Sequence, residues 1–142
     1  MAGIFALLIA AAIILRVREF VKDRETVLIN INGQRITADV RKTPLSRAKG
    51  LSGRKSLDEG AGMLFVFDAD VKPQFWMKDM NFPLDFIWIR GEEIRDLSPN
   101  IPFDYPGLLT PRDKVDKVLE VNAGFIEHND VKIGDAASID NK

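Results

Sequence analysis

The chain has 142 residues, 46% of them hydrophobic, which suits one domain with a substantial core and is too apolar for a disordered segment. Lys and Arg number 20 against 21 Asp and Glu, and the net charge of -1 supplies no global basic field for nucleic acid. There is no cysteine, which removes thiol nucleophiles, thiolate metal sites and disulfides, and His128 is the one histidine, which argues against a His-rich metal centre.

Met1 to Leu15 carries no charge and is followed by Arg16 and Arg18. The run is short of the roughly 20 residues a spanning helix needs, but extends towards that length through Val17, Phe20 and Val21 if the arginines snorkel. Residues 1–21 are therefore expected to be a hydrophobic anchor helix. A cleaved signal segment and a buried soluble helix are the competing readings. A charged linker over 22–25 should lead into a single globular domain over 26–142.

Within that domain Val27 to Ile31 and Arg35 to Val40 alternate as strands, joined by Asn32-Gly33, a hairpin signal. Thr43-Pro44 reads as a helix start, with Thr43 as N-cap and Pro44 at N1. Leu45, Ala48 and Leu51 line one face of that helix, and Gly53 can end it. Met63 to Phe67 and Leu84 to Ile89 are continuous apolar runs, expected as strands buried on both faces. A strand over Glu93 to Leu97 should follow. Ser98 to Pro111, with prolines at 99, 102, 106 and 111, is expected to be irregular. Lys117 to Val121 reads as a strand, Ala123 to His128 as a short helix, and Ala136 to Ile139 as the last strand. Together these predict a mainly β fold with two short helices, a compact barrel-like α+β domain preceded by an N-terminal hydrophobic helix.

Two acids sit on apolar strands. Asp85 shares a strand face with Ile87 and Ile89, and Glu120 shares one with Val118. A carboxylate in such a place must be hydrogen-bonded, paired or at a cavity rim. Each alone reads as an acceptor of backbone N–H bonds. As a pair they suggest a shared polar pocket, even an acid and base whose separation would be ~5 Å in a retaining glycosidase or ~6.5–9.5 Å in an inverting one. Trp76 and Lys78, alternating with Phe75 and Met77, are candidates for a site rim at which Trp76 stacks on a ring or cation. Arg47 and Arg54 belong to an acid-free basic stretch, Arg41 to Lys55, that suits an anion or a solvated helix face. Met63, Met77 and Met80 read as core rather than as soft metal ligands, and no metal or cofactor is predicted.

The pieces SRAKGLSGR (Ser46 to Arg54), GMLFVF (Gly62 to Phe67), FWMKDM (Phe75 to Met80), PLDFIWI (Pro83 to Ile89), VLEVNAG (Val118 to Gly124) and IGD (Ile133 to Asp135) stand in order. In them the chain resembles the domain-of-unknown-function family numbered 192, from about Ala38 to Ile139. The family pattern usually has an acidic residue where Ser46 stands, a methionine where Ser52 stands and an asparagine where Asp79 stands. The resemblance implies a compact mainly β domain, often behind a signal or membrane segment, and no reaction.

The expected function is a membrane-tethered binding module for a polar, carbohydrate-like or anionic ligand. Its pocket would lie between FWMKDM (Phe75 to Met80), Asp85, Glu120 and the proline-rich loop Ser98 to Pro111, with Trp76, Lys78, Asp85, Glu120, Arg47 and Arg54 as the binding residues. A carboxylate hydrolase or lyase using Asp85 and Glu120, and a partner-binding domain without a small-molecule site, are the alternatives. The positive-inside rule turns the Arg16 to Arg24 flank to the cytoplasm, whereas exported relatives in the resembled family place such domains outside. With no charge upstream of the segment for the rule to count, the extracytoplasmic side is expected.

Overall fold

The computed structural model describes residues 2–22 and 25–140, with side chains for 3–17 and 25–140. Residues 23 and 24 of the expected charged linker lie outside the described residues. Helix α1 runs Ala2–Lys22, and every described side chain on it is exposed. Among the described residues no helix is long and apolar enough to cross a membrane.

The domain is mainly β. Strands β1 (Thr26–Ile31), β2 (Gln34–Arg41), β3 (Ala61–Val71), β4 (Leu84–Arg90), β5 (Glu93–Ile101), β6 (Val115–Asn122) and β7 (Ser138–Asp140) form one sheet in the order β5-β4-β6-β3-β2-β1-β7. Two short helices, α2 (Pro44–Lys49) and α3 (Phe125–His128), complete it. All neighbouring strands pair antiparallel except β2 and β3, which α2 and the chain after it connect in parallel. The two ends of the sheet meet in part. Glu93 bridges Ala136, Ile94 N–H donates to Asp135 O at 2.9 Å and Ala137 N–H to Glu92 O at 2.8 Å. These bonds curl the sheet into a half-barrel and cover part of an edge that would otherwise be open.

The curl explains why β3 and β4 are apolar on both faces. Ile29, Ile36, Leu64, Ile87, Leu119 and Val121 fill the inside, together with Ile94 from one end of the sheet and Ala137 from the other. Met63, Phe65, Leu84, Phe86, Trp88 and Val118 form a second core on the outer face of the central strands. Loops carrying Leu51, Met77, Met80 and Leu109 cover that face, so each strand is sandwiched.

Local chemistry accounts for the turns. Asn32 and Gly33 both take positive φ, 52° and 81°, as a two-residue hairpin turn of the primed type requires. Thr43 caps α2: its Oγ1 accepts from Ser46 N–H, and Ser46 Oγ accepts from Thr43 N–H, each at 3.2 Å. Ser46 thus does at N3 what the acid usual in the resembled family would do in a capping box. Asp79 sits at φ 59°, a left-handed conformation that asparagine tolerates well, which gives a backbone reason for the asparagine usual there.

Three expectations are corrected. Helix α2 stops at Lys49 with Gly50 as C-cap rather than at Gly53, so Leu51 lies beyond it, in the outer core, while Leu45 is exposed. Strand β3 continues past Phe67 to Val71, with Asp68, Ala69 and Asp70 exposed. Strand β5 runs on through Pro99 to Ile101 rather than stopping at Leu97. It tolerates the proline because β5 is an edge strand, where a missing N–H costs no ladder bond. The register of β5 on β4 also slips by one residue there, from Phe86↔Ser98 to Leu84↔Ile101, with Asn100 at φ 53°.

Candidate functional site

Asp85 and Glu120 do not share a pocket. In the β4–β6 pairing Asp85 stands opposite Val121, and Glu120 stands opposite Phe86. Directly opposed residues point to the same face, and neighbours along a strand to opposite faces. Asp85 therefore faces the inner core with Val121, and Glu120 faces the outer core with Phe86. The expected joint pocket and the acid–base pair are overturned by this register.

Each acid has its own environment. Asp85 is fully buried, and both of its oxygens are engaged. Oδ1 accepts from Asn100 N–H at 2.7 Å, the amide that the β5 bulge removes from the ladder. Oδ2 accepts from Ile126 N–H at 2.8 Å, in the first turn of α3. Gly124, the N-cap of that helix, has no side chain to cap it. Asp85 thus supplies from a strand the cap α3 lacks, and ties it to the bulge.

Glu120 is 5% exposed and lies between Met63 and Phe86 in register. Among the described residues its carboxyl has no hydrogen-bond or ion-pair partner, and burial alone pushes its pKa up to about 8. The group is therefore largely protonated at neutral pH and offers one O–H donor with spare acceptor capacity.

Glu120 lines a cleft of about 330 Å³, within the size range of small-ligand pockets. One wall is α2 and the turn after it, Pro44 to Ser52. The other is the segment Pro73 to Trp76, with Phe65, Phe67 and Met80. Phe75 organises the apolar side: its ring meets Phe65 at 4.9 Å and Trp88 at 5.6 Å, both edge to face. Backbone bonds of 2.9 Å in each direction between Phe75 and Leu109 hold that segment in place. Trp76, half exposed, stands at the mouth. Among the described residues no other acid lines this cleft.

The remaining expected site residues divide. Arg47 lines the cleft, but one of its terminal nitrogens donates to the carbonyls of Lys42 and Val66, and its guanidinium lies 4.7 Å over the Phe67 ring. It braces the wall more than it reaches into the space. Arg54 is outside the cleft, paired with Asp39 at 3.1 Å. Lys78 is exposed and belongs to a neighbouring depression. Thus Trp76, Arg47 and Glu120 come together, while Lys78, Arg54 and Asp85 do not join them. Phe65, Phe67, Phe75 and Gly50 were not singled out from sequence. The alternation that turns Phe65 and Phe67 to the face of Met63 was the available signal. Among the described residues no group of three or more acids and histidines is arranged to hold a metal ion.

The comparisons with known proteins agree on the fold. The model of the family DUF192, described as "Uncharacterized ACR", matches residues 27–139. A solved structure of a "putative transcription regulator" from Sinorhizobium meliloti 1021 is 29% identical, with a TM-score of 0.73 over 81% of this chain and 92% of that one. A protein of unknown function from Novosphingobium aromaticivorans DSM 12444 is 26% identical, with a TM-score of 0.72 over 80% of this chain and 83% of that one. No curated protein matches the chain.

Proposed function

The chain belongs to the family DUF192, whose description assigns no activity, and we propose from its cleft that it is a binding module for a small, neutral, carbohydrate-like ligand. The observation that carries this reading is Glu120, whose carboxyl has no protein partner among the described residues and opens on a cleft with Trp76 at its mouth. A largely desolvated carboxyl with no protein partner keeps its donor and acceptor capacity free for a ligand hydroxyl. A sugar ring presents hydroxyls on its edge and C–H groups on its face, which matches a neutral carboxyl beside Phe65, Phe75 and Trp76. An anion would find Lys49 at the cleft, since Arg47 is engaged with backbone carbonyls, but would meet Glu120 ionised as pH rises through about 8. Acid–base hydrolysis is disfavoured because Asp85 lies on the other face of the sheet.

The test is titration calorimetry with a panel of monosaccharides. Binding at pH 6 should weaken roughly tenfold in Trp76→Ala, the loss of one stacked aromatic face. Native protein should lose affinity as pH rises through about 8. Glu120→Gln, which keeps a donor and an acceptor, should bind equally at pH 6 and 9.5. Binding indifferent to Trp76 and to Glu120→Leu would remove the cleft from the function.

We further propose that α1 tethers the domain to a membrane, with the domain on the extracytoplasmic side. Support comes from Ile4, Phe5, Leu7, Leu8, Ile13 and Leu15, all exposed on a helix that has no charge before Arg16. A helix apolar around its circumference normally lies buried in protein or lipid. In fractionated cells the full-length chain should stay in the pellet after a carbonate wash. Its recovery in the supernatant with an intact N-terminus would refute the tether.

A further inference from the structure

Trp76 has two exposed sides. It and Met80 line the Glu120 cleft, and both also line a second depression of about 440 Å³. The far wall of that depression is Phe103, Tyr105 and Leu108, exposed side chains of the loop from Pro102 to Leu109. Large apolar groups left in solvent next to a cleft mark a contact surface. This one is also rigid. The Leu109–Phe75 backbone pair locks its base, Tyr105 N–H bonds Pro102 O at 3.1 Å, and the prolines fix the backbone between.

Gly107 shapes the surface. A β-carbon there would come within 2.8 Å of the Tyr105 hydroxyl and 2.9 Å of its ring, so a larger residue would push the tyrosine ring off the glycine. Lys78, Asp79 and Asp104 surround the aromatic side chains with hydrogen-bonding groups. Aromatic faces with a polar rim, repeated on both sides of one tryptophan, match a ligand that itself repeats.

We infer that the two depressions form one groove for a chain of linked sugar units, with one unit in the Glu120 cleft, Trp76 at the junction and the next unit on Tyr105 and Phe103. This rests on the carbohydrate reading of the Glu120 cleft and extends it from a single ring to an oligosaccharide. Preorganised platforms suit such a ligand because they lose little side-chain freedom on binding.

The experiment uses the full chain in detergent, with glucose, N-acetylglucosamine and their β-1,4-linked oligomers of two to six units as probes. Affinity should rise about tenfold or more from one unit to three in the native protein, a gain of about 1.4 kcal/mol. Gly107→Ala, which displaces only the far end of one flexible side chain, and Tyr105→Ala should both return the trimer to the single-unit affinity. Neither should change single-unit binding. Equal affinity for one unit and three, with the Trp76 dependence intact, overturns the second subsite and leaves the Glu120 reading standing. No binding at any length overturns both. A dimer of this chain that Tyr105→Ala dissociates overturns the sugar assignment of the surface in favour of a protein contact.

Discussion

Raising the pH from below 4.5 to above 8 is expected to lower the unfolding free energy by on the order of 5 kcal/mol through Glu120 alone, and Glu120→Gln is expected to abolish that component. The sign follows from the direction of the shift. Burial raises the folded-state pKa from 4.5 to about 8. Below the unfolded value both states hold the proton and the group costs nothing extra. Between the two values the folded state binds a proton that the unfolded state has released. Stability then falls by about 1.4 kcal/mol for each pH unit. Above the folded value both states are ionised, and the whole desolvation cost behind the shift is present. Urea midpoints of the native protein and Glu120→Gln across this range measure the difference. Glu120→Gln should match the native protein at low pH and exceed it by several kcal/mol above pH 8. Parallel pH profiles for the two proteins would mean that the carboxyl is well solvated or paired, and the raised pKa behind the pH dependence of the proposed site would not exist. A bound sugar should extend the fall to higher pH, since by holding the protonated form it raises the folded-state pKa further.

How far the sequence reveals this arrangement depends on how local the deciding interaction is. The Asn32-Gly33 turn and the Thr43 cap are set by neighbours within a few residues, and both are where the pattern puts them. The double burial of β3 and β4 is legible as runs without alternation. The facing of Asp85 and Glu120 is not. Parity within each strand correctly groups Asp85 with Ile87 and Glu120 with Val118. Which groups coincide across the sheet depends on the register of β4 against β6, and more than 20 residues including all of β5 intervene, so no turn fixes it. The same holds for Pro99, acceptable within β5 only because that strand lies at the edge of the sheet, a position no local pattern reveals. The cleft is legible in half. Trp76, Arg47 and Glu120 stand out as odd residues in apolar or basic company, whereas Phe65 and Phe75 look like ordinary core until α2 leaves its own face open beside them.

Asp85→Ala is expected to cost about 3–5 kcal/mol, because it strands two backbone donors that nothing else is placed to satisfy. Those donors, Asn100 N–H and Ile126 N–H, belong to segments that the sheet ladder and the helix cannot serve themselves. Asp85→Asn should cost less, about 2–3 kcal/mol: its oxygen accepts one of the two bonds, but its amide group then meets the other donor with a hydrogen of its own. The loss should also be localised. Amide exchange at Asn100 and Ile126 should accelerate in Asp85→Ala more than at Leu64 or Leu119, which sit in central strands of the inner core. Sugar affinity per folded molecule should be unchanged, since Asp85 faces away from the Glu120 cleft. Asp85→Ala at a cost under about 1 kcal/mol, with both amides still protected, would show that α3 and the β5 bulge are held by other means. A loss of binding at unchanged stability would return Asp85 to the site, which its place on the inner face of β4 does not allow.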